Sequence, residues 1–323
     1  MFNLNLRNLN TYKLIGNKFY YSSSSHSISK TDLSKLRKIS GFPISKCKEA
    51  LVKCNSNVDE SHEWLKSEAA KHGWLKMGKL AEKPMSNGLI GMQLNANQNF
   101  SCGVMLELNC ETDFVARNQN FHKCLNTATS AFMEHICELP DINAIQLGSE
   151  ELKRILYLDV DSNKKETLDH LLAINVGSLG ENMHFRRAVA LKASKDSHLS
   201  IYSHLSWPDI NKKWKETTFG KYGVMLKYKR QIDIDTQLDE DCWRKNATKA
   251  ANAICQHIVG LDPVKIGNSQ ADEPNESIDE ENILIYQRFL HDENLKVSDV
   301  LHENCMEIED FTRFNCGELA TFA

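Results

Sequence analysis

The sequence predicts an α+β protein in which a small module of three helices precedes a core of two similar subdomains, each with antiparallel strands covered by helices. Three observations predict this class. Apolar residues repeat at helical spacing just after residue 30, alternating strand patterns follow, and the order strand, helix, helix, strand occurs twice. At 323 residues the chain is also longer than a usual single domain.

The composition argues against a membrane protein or a nucleic-acid-binding protein. Hydrophobic residues make up 41% of the chain and charged residues 25%, as in ordinary soluble proteins. No apolar run approaches the roughly 20 residues that cross a bilayer. The net charge of -4 gives no strong attraction for phosphate or for anionic lipid. We therefore expect no membrane partner and no direct nucleic-acid partner.

Residues 1–30 differ in composition from the rest of the chain. They contain no Asp or Glu, include Arg7, Lys13, Lys18 and Lys30, and carry the serine-rich stretch YSSSSHS. Such a leader is typical of a mitochondrial transit peptide, and it lacks the apolar segment of a secretory signal. A plain disordered tail has a similar composition. Both interpretations of 1–30 stay open.

The next stretch, 31–75, predicts three short helices. Gly41 stands where the first helix should end in a left-handed residue, Pro43 can open the second, and Asn57 can cap the third. The apolar faces are Leu33, Leu36 and Ile39, then Ile44, Cys47, Ala50 and Leu51, then Val58, Leu65 and Ala69. A bundle of about 40 residues is barely stable alone, so it should pack against a partner or a neighbouring domain. Residues 76–88 are basic and lack an apolar period, which predicts a linker.

The core is predicted as two subdomains, 89–193 and 194–323. The first opens with a strand hairpin whose second strand has Cys102, Val104, Leu106 and Leu108 on one face and Met105 and Glu107 on the other. Helical periods follow over 121–136, 152–156 and 168–172, and LGENMHFRRAVALK forms a returning strand. The second subdomain repeats this order with a strand from Lys221, a helix over 242–258 and a last strand over 310–316.

The stretch ELNCETDFVARN, 107–118, carries the chain from a strand into a helix. Thr112 or Asp113 can cap that helix, and a carboxylate is favourable at its positive end. An apolar ring at Phe114 needs another explanation, because the start of an exposed helical turn points outward. Either Phe114 and Val115 fold down onto the sheet as a hydrophobic staple, or Phe114 projects as an apolar wedge beside an acid.

The sequence has none of the short motifs that mark nucleotide hydrolysis, dinucleotide binding, serine hydrolysis or zinc proteolysis. Its ten cysteines and twelve histidines show neither C-x-x-C nor zinc-finger spacing, and the apolar settings of Cys47, Cys102, Cys124 and Cys255 indicate reduced core thiols. We therefore expect no cofactor, no metal and no catalytic residue. These absences favour a binding protein over an enzyme.

Three segments, in this order, resemble the elongation factor Ts family: SGFPISKCKEALVKCNSNVDESHEWL, LELNCETDFVARN and LGENMHFRRAVAL. The resemblance implies a guanine-nucleotide exchange factor for translation elongation factor Tu. It also implies a helical module similar to a ubiquitin-associated domain (UBA-like) ahead of a two-subdomain α+β core. Together with the acid-free leader, it implies the mitochondrial form, acting in the mitochondrial matrix as a 1:1 heterodimer with that GTPase.

The resemblance further implies which residues contact the GTPase. In the family, an Asp-Phe pair reaches toward the magnesium and the switch helices of the GTPase domain. The residues of this chain at the family's contact positions are Asp113, Phe114, Arg37, Ile44, Leu179, Gly180 and His257. His257 is matched through Pro263 downstream. Ser45 and Lys46 differ from the methionine and aspartate that the family has there.

Two other functions fit parts of the sequence. The helical module alone fits a ubiquitin-binding adaptor, which would leave TDFVARN without a role. A thiol-dependent enzyme that uses one of the ten cysteines would need a histidine partner that no motif indicates. Residues 194–241 match the family least well, and the resemblance implies nothing for their structure.

Overall fold

The computed structural model describes residues 28–79, 85–96, 100–139, 143–204, 214, 216–231 and 239–318. Residues 1–27 of the predicted tail lie outside these ranges. The α-helices of the described part are α1 (Lys30–Ser40), α2 (Ile44–Lys53), α3 (Val58–Lys79), α4 (Asp113–Ala116), α5 (Gln119–Glu138), α6 (Ser149–Lys153), α7 (Leu168–Leu179), α8 (Glu240–Leu261) and α9 (Val297–Glu303). Single 3-10 turns occur at Ile278–Glu280 and Leu284–Tyr286.

The strands of the described part are β1 (Asn87–Ala96), β2 (Ser101–Cys110), β3 (Ala144–Gly148), β4 (Leu156–Asp159), β5 (Lys164–Thr167), β6 (Met183–Ala193), β7 (Ser197–His204), β8 (Thr218–Gly220), β9 (Tyr222–Arg230), β10 (Arg288–Phe289), β11 (Asp292–Lys296) and β12 (Met306–Asn315). Every pairing between these strands is antiparallel. The predicted α+β class is confirmed.

The N-terminal module consists of α1, α2 and the first half of α3. Ser29 Oγ accepts a hydrogen bond from Thr31 N at 3.2 Å, and Asn57 Oδ1 accepts one from Glu60 N at 3.2 Å, so side chains cap both α1 and α3. Gly41 ends α1 with a left-handed φ of 71°. The helices enclose Leu36, Phe42, Cys47, Ala50, Leu51, Leu65 and Ala69. Because Ser29 is the cap of α1, the module begins slightly before the predicted boundary at residue 31.

The third helix is longer than predicted because it packs on the core. α3 continues to Lys79, so the predicted linker 76–88 begins as helix, and its last two residues belong to β1. An ideal Cβ built on Gly73 would lie 1.9 Å from the Ala173 carbonyl oxygen, and one on Gly177 would lie 2.0 Å from the Ala69 carbonyl oxygen. The backbones of α3 and α7 therefore touch where they cross, and this tertiary contact supports the extra turns of α3.

An ion-pair cluster also joins the module to the core. Lys66 Nζ on α3 lies 2.8 Å from Asp161 Oδ2 and 3.2 Å from Asp159 Oδ2, at the end of the β4–β5 hairpin. The Lys66 side chain is largely covered by this contact. The module is thus docked against the core, as expected for a bundle that is too small to be stable alone.

Gly73→Ala should loosen this docking. The added methyl group meets a backbone carbonyl that cannot rotate away, so α3 and α7 must separate. We expect the free energy of unfolding to fall by about 1–3 kcal/mol. Thermal denaturation, together with limited proteolysis between the module and the core, measures the loss.

Gly260→Ala in α8 is the matched control for Gly73→Ala. Within the described part of the chain, an ideal Cβ on Gly260 meets only Leu290 Cδ2, at 3.6 Å, which is ordinary contact. Alanine is also preferred over glycine inside a helix by up to about 1 kcal/mol, so this variant should be as stable as the wild type or more stable. An undiminished stability in Gly73→Ala would contradict the close helix crossing.

The core strands form two main sheets. Their strand orders are β3-β6-β2-β1-β8 and β12-β9-β7. Each half of the core follows the same path: a hairpin, a helix over its face, another helix, and a strand that pairs with the second strand of the hairpin. The two paths are β1-β2-α5-α7-β6 and β7-β9-α8-α9-β12. The predicted repeat of strand, helix, helix, strand is therefore present in the topology.

The two sheets face each other, and helices cover their outer faces. α5 and α7 pack on the first sheet around Leu106 and Leu108, while α8 and α9 pack on the second sheet around Leu226. The layer between the sheets contains Ile90, Met92, Met105, Val189, Leu191, Ala193, Leu199, Met225 and Phe314. β2 thus has the two faces that its alternation predicts. Both faces of β2 are buried, so β2 is a rigid support for α4, the helix that follows it in the chain.

One predicted helix is helical only at its start. The apolar period over 152–156 predicts helix, but α6 ends at Lys153 and β4 begins at Leu156. Tyr157 points into the core, whereas Leu156 and Leu158 point outward, which is the period of a strand. A short apolar run fits both periods, and the hairpin partner β5 decides between them.

Candidate functional site

The candidate site is the junction between β2 and α5. We call residues 112–116, which contain the single-turn helix α4, the α4 corner. Thr112 is extended, and its Oγ1 accepts a hydrogen bond from Val115 N at 3.4 Å, which caps the turn. Val115 and Ala116 are buried in the core, and His122 Nε2 lies 2.7 Å from the Ala116 carbonyl oxygen. The inner side of the corner is therefore anchored.

Phe114 occupies the outer side of the α4 corner. Its side chain is 80% exposed, although phenylalanine is normally among the best-buried residues. Its neighbour Val115 fills the inner position and is buried. Of the two arrangements that the sequence left open, the structure has the projecting ring and not the staple.

Asp113 lies at the positive end of the same turn. Its Oδ2 is 3.3 Å from Arg117 Nη2, and both side chains are partly exposed. An exposed ion pair of this kind contributes at most about 1 kcal/mol to the stability of the fold. The Asp113 carboxylate can therefore exchange Arg117 for a new partner at small cost. The corner presents a carboxylate and an aromatic ring to solvent from one anchored turn.

The turn between α7 and β6 lies beside the α4 corner. Gly180 ends α7 with a φ of 76°, and Leu179 before it is half-buried. Lys76 Nζ, near the end of α3, donates a hydrogen bond to the Gly180 carbonyl oxygen. Thr112 Oγ1 donates a hydrogen bond to Glu181 Oε2 at 2.8 Å. The structure thus brings the predicted Leu179–Gly180 contact next to the predicted Asp113–Phe114 contact.

The module places Arg37 and Ile44 near the same end of α5. Both residues are exposed, and Gly41 lies between them in the sequence. An ideal Cβ on Gly41 would lie 2.6 Å from Asn120 Nδ2, so the α1–α2 turn packs directly on the Asn120 side chain. Asn120 belongs to the first turn of α5, immediately after the α4 corner. The α1–α2 turn, which lies between Arg37 and Ile44 in the sequence, therefore packs against the start of α5.

His257 differs from its predicted place at a partner contact. It is fully buried, with 0% exposure, on the inner face of α8. Its Nε2 lies 2.9 Å from Gln287 Oε1, and its Nδ1 accepts a hydrogen bond from Leu290 N at 3.1 Å. The ring also stacks on Phe289, with the ring centroids 5.9 Å apart. From this position His257 cannot touch a partner. The match through Pro263 fixed its place in the sequence but not the side of the helix on which it lies.

Lowering the pH should destabilise the second subdomain, because the buried His257 becomes protonated. Burial, and then the charge of His291, hold the pKa of His257 below its ordinary value of 6.5 against the effect of the Gln287 hydrogen bond. Because the pKa is lower in the folded than in the unfolded chain, neutral His257 stabilises the fold fully above about pH 6.5. This stabilisation is lost as the pH falls through the folded-state pKa.

His257→Gln isolates this contribution. We expect the free energy of unfolding to fall on acidification in both chains, but by less in the variant. Burial also lowers the pKa of His62, His184 and His198, and these residues are present in both chains. Urea denaturation at a neutral and a mildly acidic pH measures the difference. An identical pH dependence in the two chains would show that His257 does not titrate in this way.

Two residues at the site were not predicted from the sequence, Glu181 and Lys76. Glu181 follows Gly180 in the motif LGEN, but its role depends on the register in which β6 pairs with β2. Lys76 was placed in a linker and is part of α3. The only sequence signal for Glu181 is an acid next to a helix-ending glycine, which is also common on plain surfaces.

All ten cysteines lie in the described part of the chain, and none is bridged. Burial raises the pKa of Cys102, Cys110, Cys255 and Cys316 to about 12, so these thiols stay protonated and are weak nucleophiles.

Within the described ranges, no three His, Cys, Asp or Glu side chains are grouped so as to hold a metal ion. No described helix combines the length and the apolar character of a membrane span.

Fold and site together define an α+β protein in which a rigid scaffold presents an exposed ring and an acid from an anchored corner. The family model described as "Elongation factor TS" matches residues 111–279, and the one described as "Elongation factor Ts, mitochondrial, N-terminal" matches residues 17–75. The chain belongs to the elongation factor Ts family.

Relatives named "Elongation factor Ts, mitochondrial" are similar to this chain over most of their length. The protein of Aedes aegypti is 38% identical over 84% of this chain and 83% of its own, and that of Drosophila melanogaster is 34% identical over 87% and 83%. The protein of Rattus norvegicus is 31% identical over 78% and 73%. These matches support a role in translation elongation and a mitochondrial location, as the sequence motifs and the acid-free leader predicted.

Proposed function

We propose that the chain is the guanine-nucleotide exchange factor of translation elongation factor Tu in the mitochondrial matrix and binds this GTPase as a 1:1 heterodimer. The single observation that supports this most directly is the 80% exposed ring of Phe114 beside Asp113 on an anchored turn. An apolar side chain on an anchored backbone loses no backbone entropy on binding, so more of its burial energy is left as affinity. The α4 corner has the physical properties of a probe that enters another protein.

The proposed step acts on the nucleotide site of the partner. GTPases hold Mg²⁺ through one or two protein groups and the phosphates, so a small displacement of the metal shell weakens nucleotide binding strongly. Phe114 inserts between helices of the GTPase domain near the switch region. Asp113 perturbs the water shell or the loop that holds the metal. GDP then leaves without covalent chemistry by this chain.

The other proposed contact residues provide affinity for the complex. Leu179 and Gly180 at the end of α7 lie beside the α4 corner, and Arg37 and Ile44 flank the α1–α2 turn, which packs on the first turn of α5. We propose that these four residues and the corner form one contact surface. His257 is not part of this surface because it is buried. By thermodynamic linkage, the factor by which this chain weakens GDP binding equals the factor by which GDP weakens the complex.

Release of a fluorescent GDP analogue from purified mitochondrial elongation factor Tu tests the proposal. We expect the release rate to rise with the concentration of this chain until it saturates. In size-exclusion chromatography the nucleotide-free complex should elute at 1:1 stoichiometry and dissociate when GDP is added. A release rate that stays constant at concentrations where the complex forms would overturn the proposed function.

A further inference from the structure

The backbone pairing between β2 and β6 stops just before both proposed contact segments. Its last pair is Cys110 with Met183. Beyond this pair the α4 corner departs from one strand, and the α7–β6 turn arrives at the other. Two segments that leave a sheet in this way move independently unless side chains hold them together.

Side-chain hydrogen bonds continue the pairing beyond the last backbone pair. Thr112 Oγ1 donates to the Glu181 carboxylate, whose oxygens lie at 2.8 and 3.1 Å. In the opposite direction, Asn182 N donates to Glu111 Oε1 at 3.0 Å. Asn87 Nδ2 in turn holds the Glu111 carbonyl oxygen at 3.1 Å. Each segment therefore donates one hydrogen bond to the other.

The Thr112 hydroxyl has a fixed direction in this arrangement. A hydroxyl has one hydrogen, and because it points to Glu181, the oxygen is left to accept from Val115 N at 3.4 Å. The charge of the carboxylate polarises the hydroxyl and strengthens it as the cap of α4. Within the described residues, the Glu181 carboxylate has no hydrogen-bond partner besides Thr112.

We propose that the Thr112–Glu181 hydrogen bond is a brace that makes the α4 corner and the Leu179–Gly180 turn one rigid contact surface, so that Thr112 and Glu181 are positioning residues in nucleotide exchange. This inference rests on the proposed function. Neither residue has to touch the GTPase. Their part is to hold Phe114 at a fixed angle while the α7–β6 turn is engaged, because a probe that must displace a metal shell has to be placed within a fraction of an ångström.

Glu181→Ala tests the brace, since it leaves the Thr112 cap of α4 in place. We expect the maximal rate of stimulated GDP release to fall about fivefold, which corresponds to about 1 kcal/mol, the net contribution of one typical hydrogen bond. The half-saturating concentration should change by less than about twofold, because every contact side chain is still present. Glu181→Gln should stay within about twofold of the wild type, since its amide oxygen can accept the same hydroxyl.

Glu134→Ala is the matched control for Glu181→Ala. Glu134 is an exposed glutamate on α5, away from the corner. Its loss should change neither the maximal rate nor the half-saturating concentration. Melting temperatures of the three variants should agree with that of the wild type, so that any loss of rate reflects the position of the corner and not global unfolding.

Amide hydrogen exchange in the free chain tests the brace without the partner. In Glu181→Ala the backbone amides of residues 115–118 should exchange faster than in the wild type, and in Glu134→Ala they should not. Unchanged amide exchange, or an unchanged release rate when the wild type does stimulate release, would overturn the brace. If the wild type itself fails to stimulate release, the proposed function fails, and amide exchange alone decides whether the brace exists.

Discussion

Phe114→Ala is expected to lower the stimulated rate of GDP release from elongation factor Tu at least about tenfold, which corresponds to about 1.4 kcal/mol in activation free energy. The ring is 80% exposed, so its removal costs the free chain almost no packing. In the complex, the variant lacks the apolar surface that is buried on insertion, which for a phenylalanine contributes about 1.5–3 kcal/mol. Stopped-flow release of a fluorescent GDP analogue measures the effect.

Val160→Ala is the control for Phe114→Ala. Val160 is an apolar residue with 86% exposure at the turn of the β4–β5 hairpin, and it is not among the residues proposed to contact the GTPase. Its replacement should leave the release rate unchanged, and both variants should melt at the wild-type temperature, as exposed positions usually do. Full stimulation by Phe114→Ala, with the complex still formed, would rule out the inserted ring as the cause of exchange.

Sequence patterns predicted the local structure around the site well. The strict alternation of β2 fixed which side chains face the helices and which face the second sheet, because a strand has a period of two. The cap at Thr112 followed from its place between strand and helix. The direction of Phe114 stayed open because a staple and a wedge have the same spacing. The structure decides it, since Val115 already fills the inner position.

Contacts between distant segments could not be predicted in the same way. The length of α3 depends on Gly73 meeting Ala173 in a helix of the core. The burial of His257 depends on the segment around Gln287 closing over α8. The bond between Thr112 and Glu181 depends on strand register. Periodicity reports only neighbours in the chain, so each of these contacts needs the tertiary fold.

Glu107→Ala is expected to lower the free energy of unfolding by about 3–5 kcal/mol. Glu107 lies in β2 with 0% exposure. Its Oε2 is 2.8 Å from Arg187 Nε, and its Oε1 accepts a hydrogen bond from Gly317 N at 2.8 Å. Without this carboxylate, the buried Arg187 guanidinium keeps only Glu318 as an acidic partner among the described residues, and the Gly317 N–H loses its acceptor. Urea denaturation at neutral pH measures the loss.

The loss in Glu107→Ala should be large because this carboxylate joins the two halves of the core, linking β2 and β6 to the end of β12. Glu107→Gln keeps an acceptor for Gly317 but removes the charge, so its loss should be intermediate. Glu307→Ala removes an exposed ion pair in which Lys229 Nζ lies 3.2 Å from Glu307 Oε1. It should lower the free energy of unfolding by less than about 1 kcal/mol. A loss in Glu107→Ala no greater than in Glu307→Ala would show that the buried carboxylate does not hold the two halves together.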